Sequence, residues 1–445
     1  MAQFNWQMDG WPRHRIDRRA LRDELDAFAK AFRAVKESLA KTPEDPETVA
    51  RTLTAEAVTT SAIEGVEVNP GVVMSSICKA LGVPAPSAGL PRDVRAEGVA
   101  QMMLDIRSDW NAPLSAGLLR KWHGSLLSND PRGIRAGDFR DEQVRIVRMD
   151  AFGMLEVIFE APPPERVTRE TTAFTKRWRR KAASMDGIAL KAALMHPHFE
   201  SIHPFEDGNG RVGRALVAKT LCEGLGAPLV LPVSTIVARH RRSYYEQING
   251  ASKSLDWTSW CAFFIPVLTE LLTDFVSEAK FVRAKREYLL KYEPLFTERA
   301  RKVILRMFED GETGACAGLS AAKWVRMAKV SKPTATRDLA DLMDTGAIVS
   351  RGDGGQIRYF LNHSAFEPRE PINDPINDPI NKAVLKVVSA NPGINRERLA
   401  LKIGRSVETV KRAVAALVAA GWIVHRGSKK TGGYFPVEPE ASSNR

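Results

Sequence analysis

Within twelve residues, His203-Pro-Phe-Glu-Asp-Gly-Asn-Gly-Arg-Val-Gly-Arg214, three glycines are interleaved with an asparagine and two arginines, directly ahead of a helical pattern formed by Val212, Ala215, Leu216 and Leu221. A helix N-terminus presents unpaired N–H groups and the positive end of its dipole, and glycines let phosphate oxygens reach that backbone. The segment is therefore an anion cradle at a loop-to-helix junction. It is not a Walker loop, because no Gly-Lys-Ser/Thr follows, nor a dinucleotide fingerprint, because no strand precedes it within a βαβ unit. Arg211 and Arg214, about one helical turn apart, can grip further phosphates bidentately. Asp207 is a hard oxygen ligand of the kind Mg²⁺ uses beside substrate phosphates. His203, four residues earlier, is expected to titrate near neutrality, as a general base drawing a proton from an attacking hydroxyl should. These pieces describe phosphoryl or nucleotidyl transfer. A zinc site built from His196-Pro-His198 and His203 is the weaker alternative, because proline between the first two forbids ligation at helical i, i+4 spacing.

The 445 residues call for two to four folding units. Hydrophobic residues at 44% and charged residues at 27% are values of a soluble globular chain. No apolar run is read as approaching the roughly 20 residues that span a bilayer, so no membrane partner is expected. The N-terminus lacks the features of a signal peptide, and the four cysteines are isolated, so a cytoplasmic protein with structural thiols is expected. The net charge of +12 favours an anionic partner without choosing among nucleotide, nucleic acid and acidic protein.

Apolar positions at three- and four-residue steps predict helix over 17–60, with Leu21, Leu25, Phe28 and Phe32 on one face, and again from Asp93 to about Leu127. Between 133 and 164 the character changes. Val144-Arg-Ile-Val and Leu155-Glu-Val-Ile-Phe read as a β-hairpin turning at 150–153 and ended by Pro162-Pro-Pro164. Helical patterns resume over 167–195, 212–224 and from Arg242 to about Tyr292. The expected fold is a mainly α bundle carrying a lone β-hairpin.

The C-terminal third is organised differently. Helices at 300–308 and 320–328, a third opening at Ser331-Lys-Pro333, and strands at 347–351 and 356–360 give winged helix-turn-helix order. The repeat Pro371-Ile-Asn-Asp-Pro-Ile-Asn-Asp-Pro-Ile-Asn381 reads as an extended linker. The plan then recurs with helices at 382–390, 396–403 and 406–420 and strands at 422–426 and 433–435. The domain expectation is 1–92, 93–292, 293–368, a linker at 369–381, and 382–445. Residues 382–435 carry eleven Lys and Arg against Glu397 and Glu408, which suggests DNA; residues 301–361, with ten basic and seven acidic residues, suggest protein contact instead. Docking of protein by both units is the alternative.

At the glycine-rich loop the sequence resembles the Fic family, whose signature is His-x-Phe-x-Asp/Glu-Gly-Asn-Gly-Arg-x-x-Arg; His203, Phe205, Asp207, Gly208, Asn209, Gly210, Arg211 and Arg214 match every defined position. The resemblance implies that His203 is the base, that Asp207 binds the metal, and that Phe205, Asn209 and the amides of Gly208 and Gly210 belong to the phosphate-holding loop. Arg211 would contact the phosphate tail and Arg214 the γ-phosphate. Residues 114–141 and the hairpin look like the region of the family's flap, which lays a target segment beside the site. Ser243-Tyr-Tyr245 resembles the helix over the adenine, with Ile248 and Ser252 on its facing side, although many relatives have Asn where Ser252 stands. Upstream, Thr60-Ser-Ala-Ile-Glu64-Gly65 fits the family's inhibitory pattern, in which the Glu pairs with the second arginine of the loop, here Arg214.

By that resemblance the chain is expected to be an autoinhibited protein adenylyltransferase, using ATP and Mg²⁺ to place AMP on a Ser, Thr or Tyr hydroxyl of a target protein or of itself. A DNA-binding regulator with this body as a sensor is the alternative from another class, and transfer of a different phosphate-containing group is a third. The target, the releasing stimulus and the oligomeric state do not follow from the residues, although a homodimer is compatible with them.

Overall fold

A computed structural model describes residues 4–39, 45–85, 89–128, 130–149, 153–309, 311–352, 357–366, 379–419, 422–427 and 432–436. The chain divides into two units, Met1–Arg283 and Ala284–Arg445.

The first unit is helical, with one hairpin. After a 3-10 turn at Asn5–Gln7 come α1 (Arg22–Leu39), α2 (Pro46–Ile63), α3 (Pro70–Leu81), α4 (Val94–Ser108) and α5 (Ala116–Leu127). Then follow β1 (Arg145–Met149), β2 (Leu155–Glu160), α6 (Pro164–Trp178), α7 (Met185–Ile202), α8 (Asn209–Leu225), α9 (Val233–Arg239), α10 (Arg241–Ala251) and α11 (Thr258–Tyr292). The hairpin is antiparallel, with a register shift between Ile146 and Val147; of its expected turn at 150–153, residues 150–152 lie outside the described residues.

Three of the expected long helices are broken where a capping residue restarts the chain. Asp45 accepts from the Thr48 amide ahead of Pro46 and opens α2. Ser115 opens α5 just after Pro113, and Ser184 opens α7. A side-chain oxygen at the cap satisfies amides that a continuous helix would pair internally, so the period alone overran these joints. The short α3 and α9 went unread. Two large buried clusters and a small one of Phe4, Phe159 and Ala161 fill the unit. One large cluster gathers Phe28, Phe32, Trp257, Trp260 and Phe264; the other gathers Trp122, Phe174, Phe199 and Phe205. The α7–α8 pair lies between them and supplies side chains to both.

Contrary to the sequence expectation, the helical run Thr258–Leu295 is long and apolar enough to cross a membrane by length and composition. Its Trp260, Phe264, Leu268 and Leu272 are buried in the first cluster, which is the position of a core helix.

The second unit takes the last residues of α11, where Tyr288 is buried and donates to the Ala347 carbonyl at 2.8 Å; the division thus falls earlier than the expected 292/293. It continues with α12 (Glu298–Glu309), α13 (Gly311–Cys316, not anticipated), α14 (Ala321–Ala328), α15 (Lys332–Asp344), β3 (Ile348–Arg351) and β4 (Arg358–Leu361). Ser331 caps α15 and Pro333 sits in its first turn, as read. A second set follows: α16 (Pro379–Ala390), α17 (Arg396–Ile403), α18 (Val407–Ala419), β5 (Ile423–Arg426) and β6 (Gly433–Pro436). Both sets have winged-helix order. The expected linker is corrected at its end, since Pro379-Ile-Asn381 already forms the first turn of α16, where proline's missing N–H costs nothing; positions 367–378 lie outside the described residues. Val410, Val414 and Leu417 of α18 pack inward, and Lys411 and Arg412 are exposed. Lys429 and Lys430 lie outside the described residues.

Candidate active site

His203 closes α7 in the left-handed region, φ 49° and ψ 61°. Five residues later Gly208, at φ 80°, turns the chain into α8; a Cβ there would also crowd Leu126 and His123. The loop between them is pinned from inside. The Phe205 amide donates to Asn209 Oδ1 (3.0 Å), Asn209 Nδ2 donates to the Phe205 carbonyl (2.8 Å), and the buried Phe205 ring stacks on His123 at 3.9 Å. Gly137 N–H donates to His123 Nδ1, so Nε2 carries the proton and donates to the Asp207 carbonyl at 3.0 Å. Burial holds His123 down to about 4, which keeps that neutral tautomer. Arg140 adds a third pin. Its backbone N–H donates to the Pro204 carbonyl, and its guanidinium donates to the carbonyls of His203 (2.7 Å), Glu142 (2.8 Å) and Pro162 (2.6 Å), tying the loop to both ends of the hairpin.

A cleft of about 690 Å³ opens over this loop, lined by His203, Asp207, Gly208, Asn209 and Gly210, by Tyr244, Tyr245, Ile248 and Ser252, by Glu64, and by hairpin residues including Arg145, Ile146 and Phe159. The residues singled out in the sequence from α7, α8 and α10 are thus brought together. Three are not at its surface. Phe205 lies in the core beneath, while Arg211 and Arg214 are buried and face a small void of about 40 Å³ together with Glu56 and Thr60. Asn209 lines the cleft with its side-chain amide committed to the loop.

His203 does not titrate near neutrality as expected. Burial, assisted by the Arg140 charge, pushes it down to about 4. It is neutral at physiological pH and ready to accept a proton, but it is a weaker base than a free imidazole. Its Nδ1 lies 3.8 Å from Glu200, whose carboxyl is pushed up to about 8, first by burial and then by the Glu64 charge.

Asp207 is held by two guanidinium groups, Arg132 at 2.8 Å and Arg211 at 3.2 Å. Burial works against its ionisation, but Arg211, the Gly208 amide and Arg132 together keep its carboxyl below the usual range.

The upstream motif meets the loop. Thr60 and Glu64 end α2, and Gly65 follows at φ 73°, a turn that suits glycine. Glu64 Oε1 accepts from Arg214 Nη1 at 2.7 Å; Thr60 accepts from the same guanidinium through its hydroxyl (2.9 and 3.1 Å) and its carbonyl (3.0 Å). Despite burial, Glu64 keeps Arg214 firmly protonated. A Cβ at position 210 would collide with the Glu64 carboxylate, so that glycine admits the contact.

The α2 end is tied down elsewhere. Glu56 accepts from the Ser234 (2.7 Å) and Thr235 (3.2 Å) amides at the start of α9, a carboxylate where a helix N-terminus favours one. The Ile63 carbonyl accepts from Arg241 (3.0 Å) and from the Tyr245 hydroxyl (3.1 Å). Tyr244 is instead a core residue whose hydroxyl pairs with His196 Nε2 at 2.6 Å. His198 accepts from Trp178 at 2.9 Å, so neither histidine of the suspected zinc pair is turned toward His203.

Arg132, Arg140, Glu200 and Glu56 went unread in the sequence. Each acts on the site from a distant or unpatterned position, and no local spacing marks it.

The Fic/DOC family model matches residues 113–221, a domain of unknown function matches 4–83, and a winged helix-turn-helix DNA-binding model matches 377–424. A probable protein adenylyltransferase of Aquifex aeolicus is 34% identical over 100 residues, 22% of this chain and 29% of that protein. Protein adenylyltransferase fic-1 of Caenorhabditis briggsae is 28% identical over 198 residues, 43% of this chain and 35% of that protein. The matched stretches thus span about a third of these relatives. Among solved structures, a Fic family protein from Desulfovibrio desulfuricans superposes with a TM-score of 0.45 at 19% identity, covering 75% of this chain and 95% of that one. The whole loop signature lies inside the stretch that matches the Fic/DOC family model, and a separate C-terminal stretch matches the winged helix-turn-helix model.

Proposed function

We propose that this protein transfers AMP from ATP to a hydroxyl group on a protein, and that the structure is its restrained state. The observation that carries the reading is that neutral His203 and the Gly208–Gly210 amides at the start of α8 line one open cleft. The phosphates would lie on those amides, and the base between α10 and the loop. His203 takes the proton of the attacking hydroxyl as its oxygen bonds to the α-phosphorus, the bond to the β-phosphate breaks, and pyrophosphate leaves. The hairpin beside His203 would present the target segment. The names of the relatives support adenylyl as the group transferred.

Mg²⁺ fits the site, because Asp207 stays ionised and already accepts cationic partners on both oxygens. When bound, the ion would neutralise phosphate charge. Asp207 would hold it, and Arg132 would have to leave.

Glu64 explains the restraint. An Arg214 guanidinium committed to Glu64 and Thr60 is withheld from the γ-phosphate, so ATP would settle in a posture poor for in-line attack. The test is intact-mass analysis of the purified Glu64→Gly protein, freed of the proposed restraint, with ATP, other nucleotides and Mg²⁺. An AMP-sized increment supports the reading, whereas a phosphate-sized increment or none contradicts it.

A second reading concerns residues 382–435 and rests on the exposed Lys411 and Arg412 of α18 within a strongly basic unit. This unit would place α18 in a DNA major groove. The full chain should then retard genomic fragments at about 50 mM salt and release them steeply as salt rises; no retardation at low salt favours protein docking.

A further inference from the structure

The first described residues reach three walls of the cleft, α7, the end of α10 and the hairpin. Asn5 is fully buried. Its backbone N–H donates to the Ser252 carbonyl just past α10 (2.7 Å), and its Nδ2 donates both to the Ala251 carbonyl (3.0 Å) and to Ser201 Oγ (2.8 Å), two residues before His203. On one side Phe4 stands edge-on to Phe159 of β2 at 5.5 Å, and on the other Trp6 Nε1 donates to the Glu160 carbonyl at 2.7 Å. Phe159 in turn lies 5.9 Å from the His203 ring. Ser201, Ser252 and Phe159 all line the cleft.

We propose that the turn at 4–7 is a clasp that sets the spacing of α7, α10 and the hairpin around the nucleotide, with Asn5 as its positioning residue. The proposal rests on reading the cleft as a nucleotide site, and it assigns a role to the start of the stretch matched by the domain of unknown function. A two-stranded hairpin is marginal by itself and needs something to pack on; Phe4 and Trp6 supply it. Asparagine suits the central position because one amide nitrogen carries two donors, which here serve two different elements.

The geometry also makes the claim testable. Ser201 keeps its bond to the Pro197 carbonyl, and the Ala251 carbonyl keeps a bond from Trp257, when the Asn5 side chain is removed. Asn5 Oδ1 is itself buried without a partner among the described residues, so truncation strands no group and removes one unsatisfied acceptor. Asn5→Ala should therefore fold.

Full-length parent and Asn5→Ala proteins are compared by ATP titration calorimetry with Mg²⁺ and by hydrogen exchange. The variant should bind ATP about tenfold more weakly, the scale of one or two lost tethering bonds, and exchange faster at 155–161 and 248–254 while α4 exchanges as in the parent. Unchanged exchange at those two segments overturns the clasp, as does a uniform rise across the whole unit, which would mark a merely structural residue. A parent that binds no nucleotide refutes the nucleotide reading, and the exchange comparison then decides the clasp by itself.

Discussion

At the residue scale, the chemistry assigned to His203 and Asp207 makes separable demands. His203→Ala removes a proton acceptor and no phosphate contact, so transfer should fall by about 10² to 10⁴ while ATP binding, followed by calorimetry, stays near the parent's. Loss of binding in step with loss of rate would instead make His203 a binding residue. Arg132 occupies Asp207 from a half-exposed position. Arg132→Ala should lower the Mn²⁺ concentration needed to half-saturate the ATP-bound protein, read from the paramagnetic signal of free ion, by several-fold; an unchanged midpoint would show that the guanidinium does not compete for this carboxylate.

The loop was legible because its glycines, arginines, aspartate and histidine are contiguous and their spacing has a meaning. Its supports were not. His123 and Arg140 hold it from positions 84 and 63 residues before Asp207 and His203, and a single His or Arg in an ordinary pattern carries no mark of its destination. The depressed basicity of His203 was invisible for the same reason, since burial is a tertiary property.

At the scale of elements, α2 acts as a lever whose last turn holds Arg214, and α10 bears on its end. Arg241 donates to the Ile63 carbonyl beside Glu64 and stacks over Tyr245, which bonds the same carbonyl. The helix proposed to lie over the base and the helix proposed to inhibit are therefore coupled through one carbonyl. Arg241→Ala should loosen the α2 end and raise self-modification a few-fold, measured with radiolabelled ATP; a rate at or below the parent's would show that Glu64 is held without this contact. Periodicity found most helices but not their joints, because caps at Asp45, Ser115 and Ser184 are decided by one residue each.

Across the described residues, five histidines kept neutral by burial link stability to pH. Burial holds His14 and His196 down to about 3, His123 and His203 down to about 4, and His198 well below its ordinary range. An unfolded imidazole titrates near 6.5, so below that the unfolded chain takes up protons that the folded chain refuses. Their contribution is present above about pH 6.5 and is lost as pH falls toward 4. Glu200 has the opposite sign: raised to about 8 from 4.5, it stabilises at low pH and loses that contribution as pH rises through the window. Glu56, also raised by burial, joins Glu200, but five imidazoles outweigh two carboxyls, and the melting temperature should be lower at pH 5 than at pH 7.5; an equal or higher value would contradict the burial of these rings.

The central claim is that Glu64 restrains a nucleotidyl transferase by holding Arg214. Intact-mass time courses with ATP and Mg²⁺ on the parent, Glu64→Gly and Glu64→Gly/Arg214→Ala proteins test it directly. The account predicts that Glu64→Gly gains AMP-sized increments about tenfold faster or more, about 1.4 kcal/mol of barrier, and that adding Arg214→Ala removes the gain. Equal rates in parent and Glu64→Gly, or a gain that survives the loss of Arg214, would contradict it.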